Sequence, residues 1–370
     1  MPPQGDTIEP FPTSPEIVDN ALLLATLPNL TLPTFLSPII THAVTYTRKR
    51  LIIVFFSRYF NVHHTKTTQD AEDDALTFPE KQGLSHTLSW DAVQRILTYT
   101  YVQATKVALE MDKVLMEIDV LLKGLNEDLS DDIGVGMDIC FHVTGDTVAV
   151  PMPQSINALR EMYLAPGERI PDDIFGTESG VPDPSEARFP PFYPVTALGG
   201  TFDHLHAGHK ILLSIGAYIT SRKLIIGITD DALLQGKANK HVLEKLPRRT
   251  QRVHDFVRLF KPQIIPDIVP INDVYGPTGW DPDIQALVVS KETLSGGEAI
   301  AKHRAAHNLP PLRTFLIDVI SATNSNLDHA DVEWLKLHKL SSTYIRQWIV
   351  DTHKQEEEEE EEEAHGNTNT

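Results

Sequence analysis

The sequence predicts an α/β protein with two domains, and three observations lead to that prediction. The chain has 370 residues, which exceeds the ~100–200 residues of an ordinary single domain. From Val195 onward, short apolar runs alternate with helix-length segments, a pattern typical of a parallel sheet covered on both faces. Between the halves lies a proline-rich stretch, which favours an irregular connection because proline fixes φ and removes a donor.

These breaks predict four segments in chain order. They are an α/β N-terminal domain of unknown role (residues 1–165), a proline-rich linker (166–194), a second α/β domain (195–354) and an acidic tail (355–370). The tail contains eight consecutive glutamates, Glu356 to Glu363. Like charges at this density repel one another, so we expect the tail to be disordered, and an interaction tail is the less favoured alternative.

The N-terminal domain shows secondary-structure signals without a functional motif. The apolar run Leu51–Phe56 predicts a buried strand, and residues Trp90 to Glu110 have helical spacing, with Ser89 as the expected N-cap. The polar stretch from Asn61 to Ser85 predicts a surface loop. No phosphate loop or metal cluster is recognisable in this half.

The second half predicts a five-stranded parallel sheet. Its strands are expected at Val195–Leu198, Leu224–Ile228, Ile264–Val269, Ala286–Val289 and Thr314–Ile320. Ligands of such sheets bind at the carboxyl ends of the strands.

Composition narrows the class of function. The formal net charge is −19, which argues against a nucleic-acid partner because such partners require excess Lys and Arg. The one cysteine excludes an internal disulfide and indicates a reducing compartment. The sequence lacks a secretory signal and a bilayer-length apolar run, so we expect no membrane partner and a cytoplasmic location, with a nuclear pool left open.

The segment Gly199 to Lys210 carries the strongest functional signal. It reads Gly-Gly-Thr-Phe-Asp-His-Leu-His-Ala-Gly-His-Lys and joins the first predicted strand of its domain to an apolar helix. Glycines permit a tight turn and close ligand approach. His206 and His209 share one face of the first helical turn, where free N–H groups favour phosphate. We predict that both imidazoles stabilise phosphate charge. A zinc pair is less favoured because no third ligand has clear spacing, and we predict no metal ligands.

Three further segments predict contacts with an anionic ligand. A hydroxyl-rich run opens the last helix with Ser341, Ser342, Thr343 and Arg346. The window from Lys237 to Lys261 is strongly basic. Lys237 is the candidate phosphate clamp and Lys240 its alternate, and most of the other basic side chains are expected in solvent. A loop following the fourth strand of this half contributes Ser290 and Thr293, with Arg304 further on.

Taken together, these runs resemble the HxGH nucleotidyltransferases, and among them the fungal-type phosphopantetheine adenylyltransferases. The resemblance covers about Phe192 to Asp351. It implies a Rossmann-like domain that transfers the adenylyl group of ATP to 4′-phosphopantetheine, giving dephospho-coenzyme A and pyrophosphate without a covalent intermediate. Mg²⁺ is then the expected cofactor, carried with ATP, and other enzymes of coenzyme A synthesis are expected partners.

The resemblance also implies roles for single residues. His209 would stabilise the transition state, His206 would assist at the ATP phosphates, and Lys237 would hold the acceptor phosphate. The remaining candidates would bind substrate: Gly200, Thr201 and Phe202 near the junction of both substrates, Ser290, Thr293 and Arg304 along the ATP or pantetheine side, and Ser341, Ser342, Thr343 and Arg346 at the ATP phosphates.

Other functions remain open from the sequence. A nicotinamide or flavin mononucleotide adenylyltransferase and a cytidylyltransferase share the HxGH motif, and a non-catalytic scaffold is the alternative from a different class. A related animal enzyme is fused to a kinase that needs a G-x-x-x-x-G-K-[ST] loop. The sequence has no such loop, so we expect a monofunctional adenylyltransferase.

Overall fold

The computed structural model describes residues 16–61, 85–168, 189–317 and 341–366. Within these ranges the chain forms two parallel sheets of five strands, each with its own helices. The predicted α/β class and the five-stranded C-terminal sheet are confirmed.

The N-terminal domain alternates strands and helices in chain order. Its elements are β1 (Val18–Thr26), α1 (Ser37–Thr45), β2 (Thr47–Phe56), α2 (His86–Glu110), β3 (Glu117–Lys123), β4 (Ile139–Val143), α3 (Gln154–Asn157) and β5 (Arg160–Leu164). The strand order is β3-β2-β1-β4-β5, with every pairing parallel. The predicted strand Leu51–Phe56 is the buried end of β2, since a strand covered on both faces needs apolar side chains throughout.

The C-terminal domain follows the same scheme. Its elements are β6 (Tyr193–Gly200), α4 (Ala207–Ile219), β7 (Thr220–Thr229), α5 (Leu246–Phe260), β8 (Ile265–Ile271), β9 (Ala286–Ser290), α6 (Leu294–Ala306), β10 (Arg313–Ile317) and α7 (Ser342–Gly366). The order β8-β7-β6-β9-β10 reverses direction at β6, so the carboxyl ends of β6 and β9 flank the switch point of the sheet. In open α/β sheets this is where ligands bind.

The start of helix α2 differs from the sequence prediction. Helix α2 begins at His86 with Ser85 at its N-cap position in extended backbone, whereas Ser89 was the predicted cap. Ser89 lies inside the helix, where its hydroxyl donates to the Ser85 carbonyl and meets the hydroxyl of Tyr218. A serine one turn into a helix can satisfy its hydroxyl on the carbonyl four residues back, so sequence alone does not distinguish it from a cap.

Helix α7 continues through the glutamate run to Gly366, where the sequence predicts a disordered tail from residue 355. Glutamate is a good helix former, and a run that extends an existing helix needs no new nucleation. The predicted loop 61–85 and linker 166–194 lie largely outside the described residues, which omit 62–84 and 169–188.

One hydrophobic core joins the two domains. It includes Leu22 and Ile53 of the N-terminal sheet together with Leu213 and Ile226 of the C-terminal domain. Helix α4 lies between the domains and is buried continuously from Lys210 to Ile219. A helix that is apolar all round needs cover on every side, and α2 supplies the side that its own sheet does not.

Candidate active site

The site begins at the turn that follows β6. Gly200 ends the strand, and a Cβ there would lie 3.2 Å from the ring of Phe202, which explains the glycine. Phe202 and His204 both adopt left-handed backbone, with φ of 53° and 42°. This conformation is costly for residues other than glycine and is concentrated at functional turns. The turn delivers the chain to the N-terminus of α4.

His206 and His209 stand at that N-terminus, as the sequence predicts. His206 is the residue before the first turn, and its ring stacks on that of His209 with centroids 3.9 Å apart. The Nδ1 atom of each ring is buried without a hydrogen-bond partner among the described residues. Gly208 leaves room for this arrangement, because a Cβ there would lie 3.3 Å from the His206 ring.

Burial keeps both imidazoles uncharged. It lowers the pKa of His206 to about 4, against an opposing effect of Glu292, and it lowers the pKa of His209 well below the ordinary value, with a further contribution from His206. At neutral pH the pair is therefore neutral and can donate hydrogen bonds to an anion without bringing charge of its own.

Phe202 occupies a different place from the one predicted for it. The resemblance predicts that Phe202 lies at the junction of two substrates, whereas its side chain is completely buried in the structure. Its ring centroid lies 5.2 Å from that of His209. The ring therefore packs against His209 and is closed to solvent, whereas the adjoining Thr201 is partly exposed.

Asp203 connects the histidine loop to the last helix. This fully buried carboxylate accepts hydrogen bonds from Arg346 at 2.5 Å and from the backbone N–H of Glu244 at 2.9 Å. The backbone carbonyl of Asp203 accepts from the hydroxyl of Ser342 at 2.7 Å. The predicted motifs at residues 199–210 and 341–346 are thus brought into direct contact, through a residue for which the sequence suggested no role.

The guanidinium group of Arg346 is occupied by protein partners, Asp203 among them. Its side chain is buried, and it also donates to the Ala238 carbonyl and to the hydroxyl of Thr343. Ser341 accepts a hydrogen bond from the backbone N–H of Tyr344, as an N-cap does. Thr343 is exposed at the first turn of α7, whereas Ser341 and Ser342 are partly buried.

The basic window separates into a buried and an exposed part. Lys237 and Lys240 are exposed, between the end of β7 and the start of α5. Arg249, expected in solvent, is fully buried: it donates to the carbonyls of Thr201 and Thr229 and to the carboxylate of Asp231. Arg249 therefore ties together the carboxyl ends of β6 and β7, a role that no local pattern reveals.

The loop after β9 contributes to the same edge of the sheet. Ser290 and Thr293 form a capping box at the start of α6, with the Ser290 N–H donating to the Thr293 hydroxyl at 3.0 Å. Arg304 does not line this edge as predicted. It is buried and donates to the carbonyls of Pro310, Thr278 and Asp281, because a buried guanidinium needs acceptors for its N–H groups.

The described residues contain no group of three His, Cys, Asp or Glu side chains placed to share a metal ion. Among the same residues, no helix is both long enough and apolar enough to cross a bilayer.

The C-terminal sheet thus presents a stacked, neutral histidine pair at a helix N-terminus beside its switch point, an arrangement suited to an anionic ligand. Residues 197–348 match the cytidylyltransferase-like family model. The chain is 46% identical over 155 residues to the phosphopantetheine adenylyltransferase of Saccharomyces cerevisiae and 39% identical over 153 residues to an uncharacterized protein of Schizosaccharomyces pombe. The two matches cover 42% and 41% of this chain. They cover 48% of the first relative and 47% of the second, so the chain spans about half the length of each.

An archaeal relative is covered almost completely. The phosphopantetheine adenylyltransferase of Pyrobaculum aerophilum is 33% identical over 150 residues, which are 40% of this chain and 88% of that protein. The chain belongs to the phosphopantetheine adenylyltransferase family.

Proposed function

We propose that the protein transfers the adenylyl group of ATP to 4′-phosphopantetheine, giving dephospho-coenzyme A and pyrophosphate. The stacked pair His206 and His209 at the N-terminus of α4 carries this proposal, since it is suited to phosphate and lies in the segment that matches the family model. The relatives named phosphopantetheine adenylyltransferase support the choice of acceptor.

The reaction is an in-line displacement at phosphorus. A phosphate oxygen of the acceptor forms a bond to the α-phosphorus of ATP, and the bond from that phosphorus to the bridging oxygen of the β-phosphate breaks, which releases pyrophosphate. No covalent enzyme intermediate forms. Catalysis then depends on positioning and on stabilising the charge that develops on the phosphoryl oxygens.

His209 and His206 supply hydrogen bonds to those oxygens. A neutral imidazole carries one proton, and a buried Nδ1 without a partner is better left as a lone pair than as an unsatisfied donor. The proton therefore belongs on Nε2, from which His209 donates to the reacting phosphoryl group and His206 to the neighbouring phosphates. The free N–H groups of α4 add to this binding.

The remaining predicted residues are assigned by their exposure. We assign the acceptor phosphate to Lys237, with Lys240 as the alternate, and the ATP phosphates to Thr343; all three residues are exposed. Mg²⁺ would be carried mainly by the triphosphate, because this ion is often held by substrate phosphates with few protein ligands. A cytoplasmic location and association with other coenzyme A enzymes are part of the same proposal.

A substrate panel tests the function. Purified protein with ATP, Mg²⁺ and 4′-phosphopantetheine is expected to release pyrophosphate, and pairs of ATP with nicotinamide or flavin mononucleotide, or of CTP with a phosphorylated headgroup, are expected to give none. Turnover with one of those pairs alone would overturn the substrate. Absence of turnover with every pair would favour a scaffold.

His209→Ala tests the catalytic role. We expect kcat to fall by ~10³, which corresponds to about 4 kcal/mol of lost transition-state stabilisation. His254→Ala, an exposed histidine on α5, is the matched control and should keep wild-type turnover. Near-normal turnover of His209→Ala would show that the histidine pair is not the catalytic centre.

A further inference from the structure

The N-terminal domain repeats the fold of the catalytic domain in detail. Counted within each domain, both sheets have the strand order 3-2-1-4-5. The pairing of the first two strands contains the same irregularity in each, between Val18 and Asn20 in β1 and between Tyr193 and Val195 in β6. A shared interruption of register is more specific than a shared strand order, because it fixes which residues correspond.

In both domains, a lysine and a threonine at equivalent positions donate hydrogen bonds to carbonyls at the C-terminal end of the first helix. A lysine after the second helix donates to three carbonyls: Lys113 to Val44, Thr45 and Thr47, and Lys261 to Ala217, Tyr218 and Thr220. The threonine that begins the next strand donates in both domains to the carbonyl four residues earlier. The spacing is identical, so Thr47 corresponds to Thr220.

This correspondence shows what the N-terminal domain lacks. Counting back from the two threonines places Pro33 where the catalytic domain has His206, and Leu36 where it has His209. Leu36 is completely buried in the core. Neither side chain can donate a hydrogen bond, so this copy has no histidine pair for phosphate.

One ion pair is shared, and in the N-terminal domain it has an additional partner. Arg50 on β2 pairs with Asp119 on β3 at 2.8 Å, as Lys223 on β7 pairs with Asp267 on β8 at 3.4 Å. Asp119 also accepts a hydrogen bond through its other oxygen from Lys210 of the catalytic domain, at 2.6 Å.

Lys210 is adjacent to His209 in the first turn of α4. Its ammonium group is buried and donates to the Asp119 carboxylate and, at 2.7 Å, to the Ile118 carbonyl, both on β3. A buried charge requires a partner to avoid a large desolvation cost. The N-terminal domain thus fixes the end of α4 that carries the histidines.

The other end of α4 is held from the same side. His86 of α2 stacks on Tyr218 with ring centroids 4.0 Å apart, and the hydroxyls of Ser89 and Tyr218 lie 2.9 Å apart. Helix α2, which carries His86 and Ser89, packs against α4. The catalytic helix is therefore anchored to the N-terminal domain at both ends.

We propose that the N-terminal domain is a non-catalytic copy of the nucleotidyltransferase fold that clamps α4, and that Asp119 is a positioning residue acting on His206 and His209 through Lys210. The proposal rests on the proposed function for its kinetic test. A second test, by spectroscopy, is independent of the substrate.

Asp119→Asn and Lys210→Met are expected to lower kcat at least tenfold while KM for ATP changes less than about twofold. Displaced histidines weaken contacts to the transition state more than contacts to ground-state ATP. Asp119→Asn leaves the buried Lys210 and the partly exposed Arg50 without their carboxylate, which is destabilising. Lys210→Met retains the Arg50–Asp119 pair, so it tests the same contact in a better-folded protein. Both are assayed below the onset of their thermal unfolding.

Two matched controls separate positioning from stability. Arg50→Met removes the partner of the other Asp119 oxygen without touching α4, and Asp267→Asn removes the corresponding carboxylate of the catalytic domain. Both should keep kcat within twofold of wild type. If Arg50→Met lowers kcat as much as Lys210→Met does, Asp119 contributes only to stability and the proposal fails.

The second readout is the ¹⁵N NMR spectrum of the histidine rings in the ligand-free full chain. We expect the signals of His206 and His209 to shift in Asp119→Asn and Lys210→Met but not in Arg50→Met. Unchanged ring signals in both clamp variants would overturn the positioning role, even if wild-type protein proved inactive with 4′-phosphopantetheine. Shifted signals with an inactive wild type would instead overturn the proposed function alone.

Discussion

The chemistry of single residues at the site is decided by desolvation. His206 and His209 stand at a helix N-terminus, which favours anions, yet burial makes the protonated form of each unfavourable. Neutral donors bind phosphate less strongly in the ground state than cations would, which leaves more of the interaction for the transition state. Because folding lowers the pKa of each imidazole, the pair also affects how the free energy of unfolding depends on pH.

His206→Gln is expected to flatten the pH dependence of stability. The pKa of folded His206 is about 4, against 6.5 for the free side chain. Between these values the unfolded state binds more protons, so the free energy of unfolding falls as the pH is lowered. The full difference corresponds to about 3 kcal/mol near pH 4. Urea denaturation from pH 7.5 to 4 measures it, with His254→Gln expected to keep the wild-type curve. A His206→Gln curve parallel to wild type would contradict the assigned pKa.

At the scale of elements, the site depends on the way α7 docks against the loop after β6. Arg346 reaches from α7 to Asp203, and Ser342 reaches the backbone at the same residue. These contacts join segments that are more than a hundred residues apart in the sequence. The first turn of α7 is thus held beside the loop that leads into α4, as the proposed function requires if both are to contact one nucleotide.

Asp203→Asn is expected to loosen this docking. It leaves Arg346 buried without its carboxylate, and breaking one side of a buried pair costs about 3–5 kcal/mol. We expect a fall of this order in the free energy of unfolding, measured by denaturant titration, and a fall in kcat. Asp351→Asn is the control, since this exposed carboxylate on α7 contacts only Gln347 among the described hydrogen bonds. Equal stability of the two variants would show that Asp203 does not anchor α7.

At the scale of the whole molecule, the described residues form two copies of one fold, and one of their two hydrophobic clusters extends across both copies. Residues from both sheets belong to the same hydrophobic cluster, and charged contacts such as Lys210 with Asp119 and Lys123 with the Phe260 carbonyl cross the interface. Inter-domain contacts of this kind differ from the polar, easily separated interfaces usual between domains.

We therefore expect the two domains to unfold together. Differential scanning calorimetry should show one transition, with the calorimetric and van't Hoff enthalpies equal within error. His86→Ala removes the ring stacked on Tyr218 and should lower the single transition temperature without splitting it. Two resolved transitions in the wild-type protein would show that the domains are thermodynamically independent.

The sequence by itself determined the second sheet, the helix that follows Gly199–Gly200 and the histidine pair, because these depend on local runs of a few residues. It could not show that Asp203, Lys210 and Arg249 are buried and paired, since a charged side chain looks the same in sequence whether its partner is solvent or a distant carboxylate. It also placed Phe202 and Arg304 at a substrate, where the structure buries both. The repeated fold was not recognisable from the sequence either, because the two copies share their strand register and helix-end contacts but few residues. Only tertiary structure brings β3 of one copy against α4 of the other, because the partner that neutralises a buried charge is chosen by packing across the chain.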